Sequence, residues 1–275
     1  MKSFFTEAIN KRKIGGGTMV DLHSHIIFGI DDGSKSKDMT INMLKQAVEG
    51  GTKKLVLTPH YLPGYYEVPI NQVKERTKEL KVLSKEENLD IEIYCGQEVY
   101  FNERILESFE DKLIGTINDS RYMLIEFNMR NFSIKEVIDI LYELQLKGIV
   151  PVIAHPERYI KFMKSPSLIN EFVEEGFLFQ LNIGSITGDF GKEVKKTAEL
   201  FLKNKIYSFL GSDAHRDEKR NPNMSKGIEI LKEMDNNYFN YLRDSSERLL
   251  NDDEIEFIGD SIKEKKRLLS IFSKR

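Results

Sequence analysis

The chain has 275 residues, of which 40% are hydrophobic and 31% charged, the balance of an ordinary soluble globular protein. A net charge of -3 predicts no nucleic-acid partner and no broad affinity for acidic membranes, and a sole cysteine, Cys95, excludes an intrachain disulfide framework and fits a reducing, cytoplasmic compartment. No apolar run approaches the roughly 18 residues of a membrane-spanning helix, so no integral membrane protein is expected.

Residues 1–18 carry Phe4, Phe5 and Ile9 beside Lys11, Arg12 and Lys13 but lack the continuous apolar core of a signal peptide. Gly15, Gly16 and Gly17 break any helix there, so a flexible tail is expected, followed by one domain over 19–275. Strand-like apolar runs at 19–23, 54–58, 91–95, 122–127, 149–154, 177–183 and 206–211 alternate with helical patterns at 37–49, 70–87, 102–110, 133–147, 165–175 and 190–204. Such alternation predicts βα units around a parallel sheet, and α/β barrels commonly reach this length. Gly50-Gly51, Gly148 and Gly176 stand where helices end in a left-handed residue, and Ser133 with Glu136 has the spacing of a capping box. The stretch 224–273 reads as helical, in two or three pieces.

The chemistry lies at the strand ends. His23 and His25 alternate on one strand and so share a face. The other histidines, His60, His155 and His215, each follow an apolar run, and Glu98, Glu126, Asn182 and Asp213 stand at corresponding places. In a β/α barrel these ends converge on one mouth, where buried ionisable groups need cations to neutralise them. With Asp32 from the loop after the first strand, the candidate ligands are His23, His25, Asp32, His60, Glu98, Glu126, His155, Asp213 and His215. This mixed nitrogen and oxygen set exceeds what one catalytic zinc takes and suits two or three manganese, iron or zinc ions. Closely spaced ions of that kind suit phosphoester hydrolysis, because they lower the pKa of a bridging water and stabilise charge on phosphate oxygens.

Asp21-Leu22-His23-Ser24-His25, Asp31-Asp32-Gly33-Ser34-Lys35-Ser36, Thr58-Pro59-His60, Gly96-Gln97-Glu98-Val99-Tyr100, Asn118 to Phe127, Ala154 to Tyr159 and Ser212-Asp213-Ala214-His215 follow one another in order. In this series the chain resembles the polymerase and histidinol phosphatase (PHP) superfamily, and within it the bacterial CpsB/CapC/YwqE-type tyrosine-protein phosphatases of capsule and exopolysaccharide loci. The resemblance implies a distorted (β/α)7 TIM-like barrel and a trinuclear, usually manganese-dependent site. It implies that His23, His25, Glu98 and Asp213 bind one ion, with Glu98 bridging to a second, and that His60, Glu126, His155, Asp32 and His215 serve the others. Arg158 resembles the arginine that binds phosphate and stabilises its transition state; Arg220 resembles a second. His215 or His60 would assist the leaving phenolate where metal leaves it free.

The implied substrate is a phosphotyrosine-containing protein, with the C-terminal tail of a bacterial tyrosine kinase as the expected partner. The alternative is a phosphatase of a small metabolite such as histidinol phosphate. A non-catalytic metal-stabilised protein would lack a ligand or an arginine, and none is missing. Cys95 is not expected to act as a nucleophile: a cysteine phosphatase needs an arginine six residues on, where this chain has Phe101. Tyr65 and Tyr66 follow the His60 strand and are placed to line the mouth.

Overall fold

The computed structural model describes residues 18–263, so the expectation of a flexible tail falls, apart from Thr18, outside the described residues. The strands are β1 Val20–Asp21, β2 Lys54–Leu57, β3 His60–Leu62, β4 Tyr66–Glu67, β5 Glu92–Cys95, β6 Glu98–Tyr100, β7 Tyr122–Glu126, β8 Val150–Ala154, β9 Leu178–Asn182 and β10 Phe209–Gly211. The helices are α1 Lys37–Glu49, α2 Ile70–Glu86, α3 Ile105–Glu110, α4 Ile134–Leu146, α5 Ile160–Lys164, α6 Ile169–Glu174, α7 Ile183–Thr187, α8 Lys192–Lys203 and α9 Ser225–Leu250.

All pairings are parallel except the β3–β4 hairpin, as βα repeats require. One sheet runs β1-β2-β5 and the other β10-β9-β8-β7-β6-β3-β4. They meet because two strands break midway. The chain leaves β2 at Thr58-Pro59 and resumes as β3, and it leaves β5 at Gly96-Gln97 and resumes as β6. Pro59 has no N–H for a ladder, and a side chain at 96 would stand 3.1 Å from Val56 Cγ1. At the far side Leu22 N donates to Leu210 O at 3.2 Å, Asp213 N to His23 O at 2.7 Å and His25 N to Ala214 O at 2.9 Å. These bonds join the first strand to the last, giving a distorted TIM-like barrel of the α/β class.

Local signals place the helices. Ser36 accepts from Met39 N and Ser133 from Glu136 N, each satisfying an orphan donor of the first turn. Thr40, Met43, Leu44 and Ala47 form the buried stripe of α1, and Val137, Leu141 and Leu144 that of α4. Each buried leucine contributes about 1.5–3 kcal/mol relative to exposure. Gly51, Gly148 and Gly176 are left-handed at φ 90, 83 and 77°, whereas Gly50 stays right-handed as the α1 cap.

Three expected helices begin later than their sequence patterns. The 102–110 pattern becomes helical only at Ile105, because the Asn102 side chain accepts from Arg104 N at 2.9 Å in a local turn. The 165–175 pattern opens with a 3-10 turn at Pro166–Leu168, and the 190–204 pattern waits for Lys192, after Gly191 at φ 93°.

The 224–273 expectation needs a larger correction. α9 is two helices joined at Asp235, whose extended backbone lets its carboxylate cap Tyr238 N at 3.0 Å. Residues 251–263 are not helical, and 264–273 lie outside the described residues. Ile255 and Phe257 pack on the barrel-core cluster of Val20, Leu22, Val56, Leu124, Val152 and Phe209. A non-helical chain lets both reach it, while Asp260 N and Ile262 N donate to Asn204 O and Asn170 Oδ1, each at 2.9 Å.

Candidate metal centre and phosphate clamp

All nine predicted donors converge on one end of the barrel. Four overlapping groups have their donor atoms within 4.8 Å of one another: His25, Asp32, His60 and His215; His23, His25 and Asp213; His23, Glu98 and His155; His60, Glu98 and Glu126. Parallel register explains part of this. His60 pairs with Glu98, which brings these two donors level, and Glu126 lies opposite Tyr100, two residues beyond Glu98 and so on the same face of the sheet.

The outer nitrogens of three histidines are already occupied. His25 Nδ1 lies 2.7 Å from Asp31 Oδ2, His23 Nδ1 2.9 Å from Gln180 Oε1 and His215 Nδ1 3.0 Å from the Asp213 carbonyl oxygen. Each partner is an acceptor, so Nδ1 carries the proton and Nε2 presents a lone pair inward. His23 Nε2 and His25 Nε2 stand 3.1 Å apart, both 3.2 Å from Glu98 Oε2 and 3.6 Å from Asp213 Oδ1. Ligands on one tetrahedral ion at about 2.1 Å would be about 3.4 Å apart. Four acceptors that face one another at such spacing repel unless a cation lies among them. Glu98 Oε2, Asp32 Oδ1, His60 Nδ1 and His155 Nδ1 are also buried without a hydrogen-bond partner. The donor set fits divalent metal.

The electrostatics agree. Burial opposes charge on His25, yet Asp31 and Glu98 hold it well above the usual histidine range, and Glu98 and Asp213 likewise raise His23 against burial. Burial, then repulsion from Glu98 and Asp213, pushes Glu126 well above the ordinary carboxylate range. Without metal, the cluster draws in protons to offset its negative potential. His155 goes the other way, down to about 4 through burial and the Arg158 charge; His215 falls to about 4 through burial and His25. Both are therefore neutral near pH 7, the form that can donate a lone pair.

Asp213 joins this cluster to a cationic one. Its Oδ1 faces the histidines, while its Oδ2 accepts from Arg158 Nη1 at 2.6 Å and Asn182 Nδ2 at 2.8 Å and lies 2.7 Å from Arg220 Nη2. Arg220 Nε is buried with no hydrogen-bond partner. Both guanidiniums lie against Phe190, their central carbons 4.5 and 5.8 Å from the ring centroid. His155, Asp213 and Arg220 have left-handed backbones at φ 32, 51 and 54°, a conformation costing non-glycine residues about 1–3 kcal/mol and characteristic of functional sites.

Sequence reasoning missed several supports. Asp31 also accepts from His60 N and Gly33 N, so one buried carboxylate orients two candidate ligands. Gln180 braces His23; its signal was a polar residue alternating with Asn182 inside an otherwise apolar strand. Phe190 had no signal beyond its flanking glycines. Tyr66 stacks on His60 at 6.1 Å between ring centroids, whereas Tyr65 is 80% exposed and turned to solvent.

Two predictions arise here. A side chain on Gly211 would stand 2.7 Å from His23 Cβ and 2.9 Å from His23 N. Gly211→Ala should cost about 1–3 kcal/mol through overpacking and displace His23, read as a lower Tm and weaker metal retention. An unchanged metal affinity would show that His23 tolerates the shift. Burial pushes the Cys95 thiol up to about 11, so below that pH it stays protonated and unreactive. Native protein at pH 8 should resist iodoacetamide by mass spectrometry, and Cys95→Ser should leave turnover within about twofold of wild type, the range of a neutral substitution.

The sequence matches the profile of the family described as capsular polysaccharide synthesis, CpsB/CapC, over residues 19–266. The tyrosine-protein phosphatase CpsB of Streptococcus pneumoniae is 34% identical over 218 residues, 78% of this chain and 89% of the relative. The tyrosine-protein phosphatase YwqE of Bacillus subtilis is 32% identical over 238 residues, 86% and 93%. A solved structure from a study of YwqE of B. subtilis and CpsB of S. pneumoniae, described as unique metal-dependent tyrosine phosphatases, superposes with a TM-score of 0.84 at 30% identity, covering 90% of this chain and all of that one. The chain belongs to the CpsB/CapC family.

Proposed function

We propose that this protein is a metal-dependent protein-tyrosine phosphatase. The observation that carries the reading is the junction at Asp213, where a cluster of inward-facing lone pairs meets two arginines, one with a buried, unpartnered Nε–H. A phosphomonoester fits such a junction, because its oxygens are acceptors that suit both cations and guanidinium forks.

In this reading two or three divalent ions, manganese first, would be held by His23, His25, Glu98 and Asp213 and by His60, Glu126, His155, Asp32 and His215. When bound, the ions supply a water of lowered pKa and offset charge on the phosphate. The chain's own residues do the rest. Arg158 and Arg220 take phosphate oxygens with guanidinium hydrogens not used by Asp213, and they stabilise the charge that grows on those oxygens in the transition state. Tyr66 bounds the mouth beside His60. A phenolate with a pKa near 10 departs with little protonation, and His215 would assist only where metal leaves it free.

The physiological substrate in this reading is a phosphotyrosine protein such as the tail of a bacterial tyrosine kinase, in capsule or exopolysaccharide control. Residues 19–275 act as one domain in the cytoplasm. No helix among the described residues is long and apolar enough to cross a membrane.

The test is phosphate release from a phosphotyrosyl peptide, a phosphoseryl peptide and histidinol phosphate after chelation and manganese addition. Preference for phosphotyrosine is the expected result. Turnover confined to histidinol phosphate would keep the metal chemistry and overturn the signalling role.

A further inference from the structure

We propose that Phe190 is a positioning residue that binds Arg158 and Arg220 into one phosphate clamp through the face of its ring. The proposal rests on the reading above, in which the two arginines take the phosphate. Two guanidiniums converge on a single carboxylate oxygen, at 2.6 and 2.7 Å, which brings two like charges close together around the one carboxylate in direct contact with both. Glu126, Glu98 and Glu157 also attract Arg158, and the group that lies against both guanidiniums beside Asp213 is the Phe190 ring, 4.5 and 5.8 Å from their central carbons. Its π-electron face is attractive to cations, so the ring offsets the repulsion between the arginines without using any of their hydrogens. A second carboxylate there would occupy the donors that phosphate needs. A phenyl face leaves them free.

The local backbone is shaped for this placement. Phe190 lies between α7 and α8, between Gly188 and Gly191, both left-handed at φ 95 and 93°. Asp189 N donates to Gly184 O at 3.0 Å, Gly191 N to Gly188 O at 3.1 Å and Thr187 Oγ1 to Asp189 Oδ2 at 2.7 Å, which closes the turn on itself. A side chain on Gly184 would come within 2.9 Å of Phe190 Cε2, so this glycine is what allows the ring to settle against α7. From the other side of the clamp, Asn182, the cap of α7, donates to Asp213 Oδ2. The same short helix thus supports both the carboxylate and the ring.

The experiment compares Phe190→Leu, Phe190→Met and Phe190→Tyr with Arg158→Ala and Arg220→Ala in the manganese-loaded full chain. Inorganic phosphate affinity is read by titration calorimetry, with metal content and kcat/KM toward a phosphotyrosyl peptide measured beside it. Leucine and methionine fill the space without a π face, so both should weaken phosphate by about five- to twentyfold, whereas tyrosine should stay near wild type with metal content unchanged throughout. If leucine and methionine bind phosphate as wild type does while Arg158→Ala weakens it, the clamp role of Phe190 is overturned and the phosphatase reading stands. The clamp role is overturned in the same way if tyrosine fails as leucine does, since packing rather than the ring face would then be at work. If both arginine variants bind phosphate normally, the assignment of phosphate to the arginines is itself wrong and this inference falls with it.

Discussion

Replacing Asp213 with asparagine should lower kcat/KM toward a phosphotyrosyl peptide by at least about a thousandfold, the scale of losing a preorganised electrostatic contact together with a metal ligand. Asparagine is the informative variant because it keeps the side-chain shape and tolerates the left-handed backbone at φ 51°. Alanine would add backbone strain to the loss of charge. The native carboxylate is held well below the usual carboxylate range: burial works against its charge, but His23 and the guanidiniums of Arg220 and Arg158 outweigh it. Neutralising it removes a donor facing His23 and His25 and leaves the arginine pair without its counter-ion. Turnover, phosphate affinity and bound metal should therefore all fall in this one variant. Retention of more than about a tenth of wild-type kcat/KM would mean that Asp213 does not join the two halves of the site.

Removing metal by chelation should take turnover to background and lower Tm by about 5–10 °C, and manganese should restore both. The thermal shift follows from linkage. An ion present at about one hundred times its dissociation constant stabilises the native state by about 2.7 kcal/mol, and 1 kcal/mol corresponds to about 2–4 °C in a domain of this size. The structural warrant is the cost of leaving the site bare: His23 Nε2 and His25 Nε2 stand 3.1 Å apart, where two lone pairs or two protons repel, and Glu98 Oε2 is buried without a hydrogen-bond partner. Scanning calorimetry of chelated and manganese-restored protein measures this separately from activity. A chelated protein with unchanged Tm and full turnover would refute the metal-dependent reading.

How much of the molecule is legible in its sequence depends on the kind of signal. The seven core strands are visible as apolar runs because each is buried in a parallel barrel, and the candidate donors are visible because every histidine of the chain follows such a run. The broken strands are harder to see. The Thr58-Pro59 and Gly96-Gln97 breaks make His60 and Glu98 the first residues of new strands rather than the ends of old ones, and this depends on which neighbour each half pairs with. The non-helical segment 251–263 reads as helix in sequence because local propensity says nothing of the apolar cluster that Ile255 and Phe257 join.

The alternation of strands and helices, the cap at Ser133 and the residue types at the strand ends are legible in the sequence, since these depend on periodicity and on chemistry local to the chain. Folding alone sets which donors come together, that Asp31 and Gln180 orient the histidines, and that Arg158, Arg220 and Phe190 meet near Asp213. Those contacts join residues far apart in the chain, Gln180 lying 157 positions from His23 and Asp213 55 from Arg158. No local pattern records such distances. They are set when the barrel brings its strand ends together and buried polar groups must find partners there.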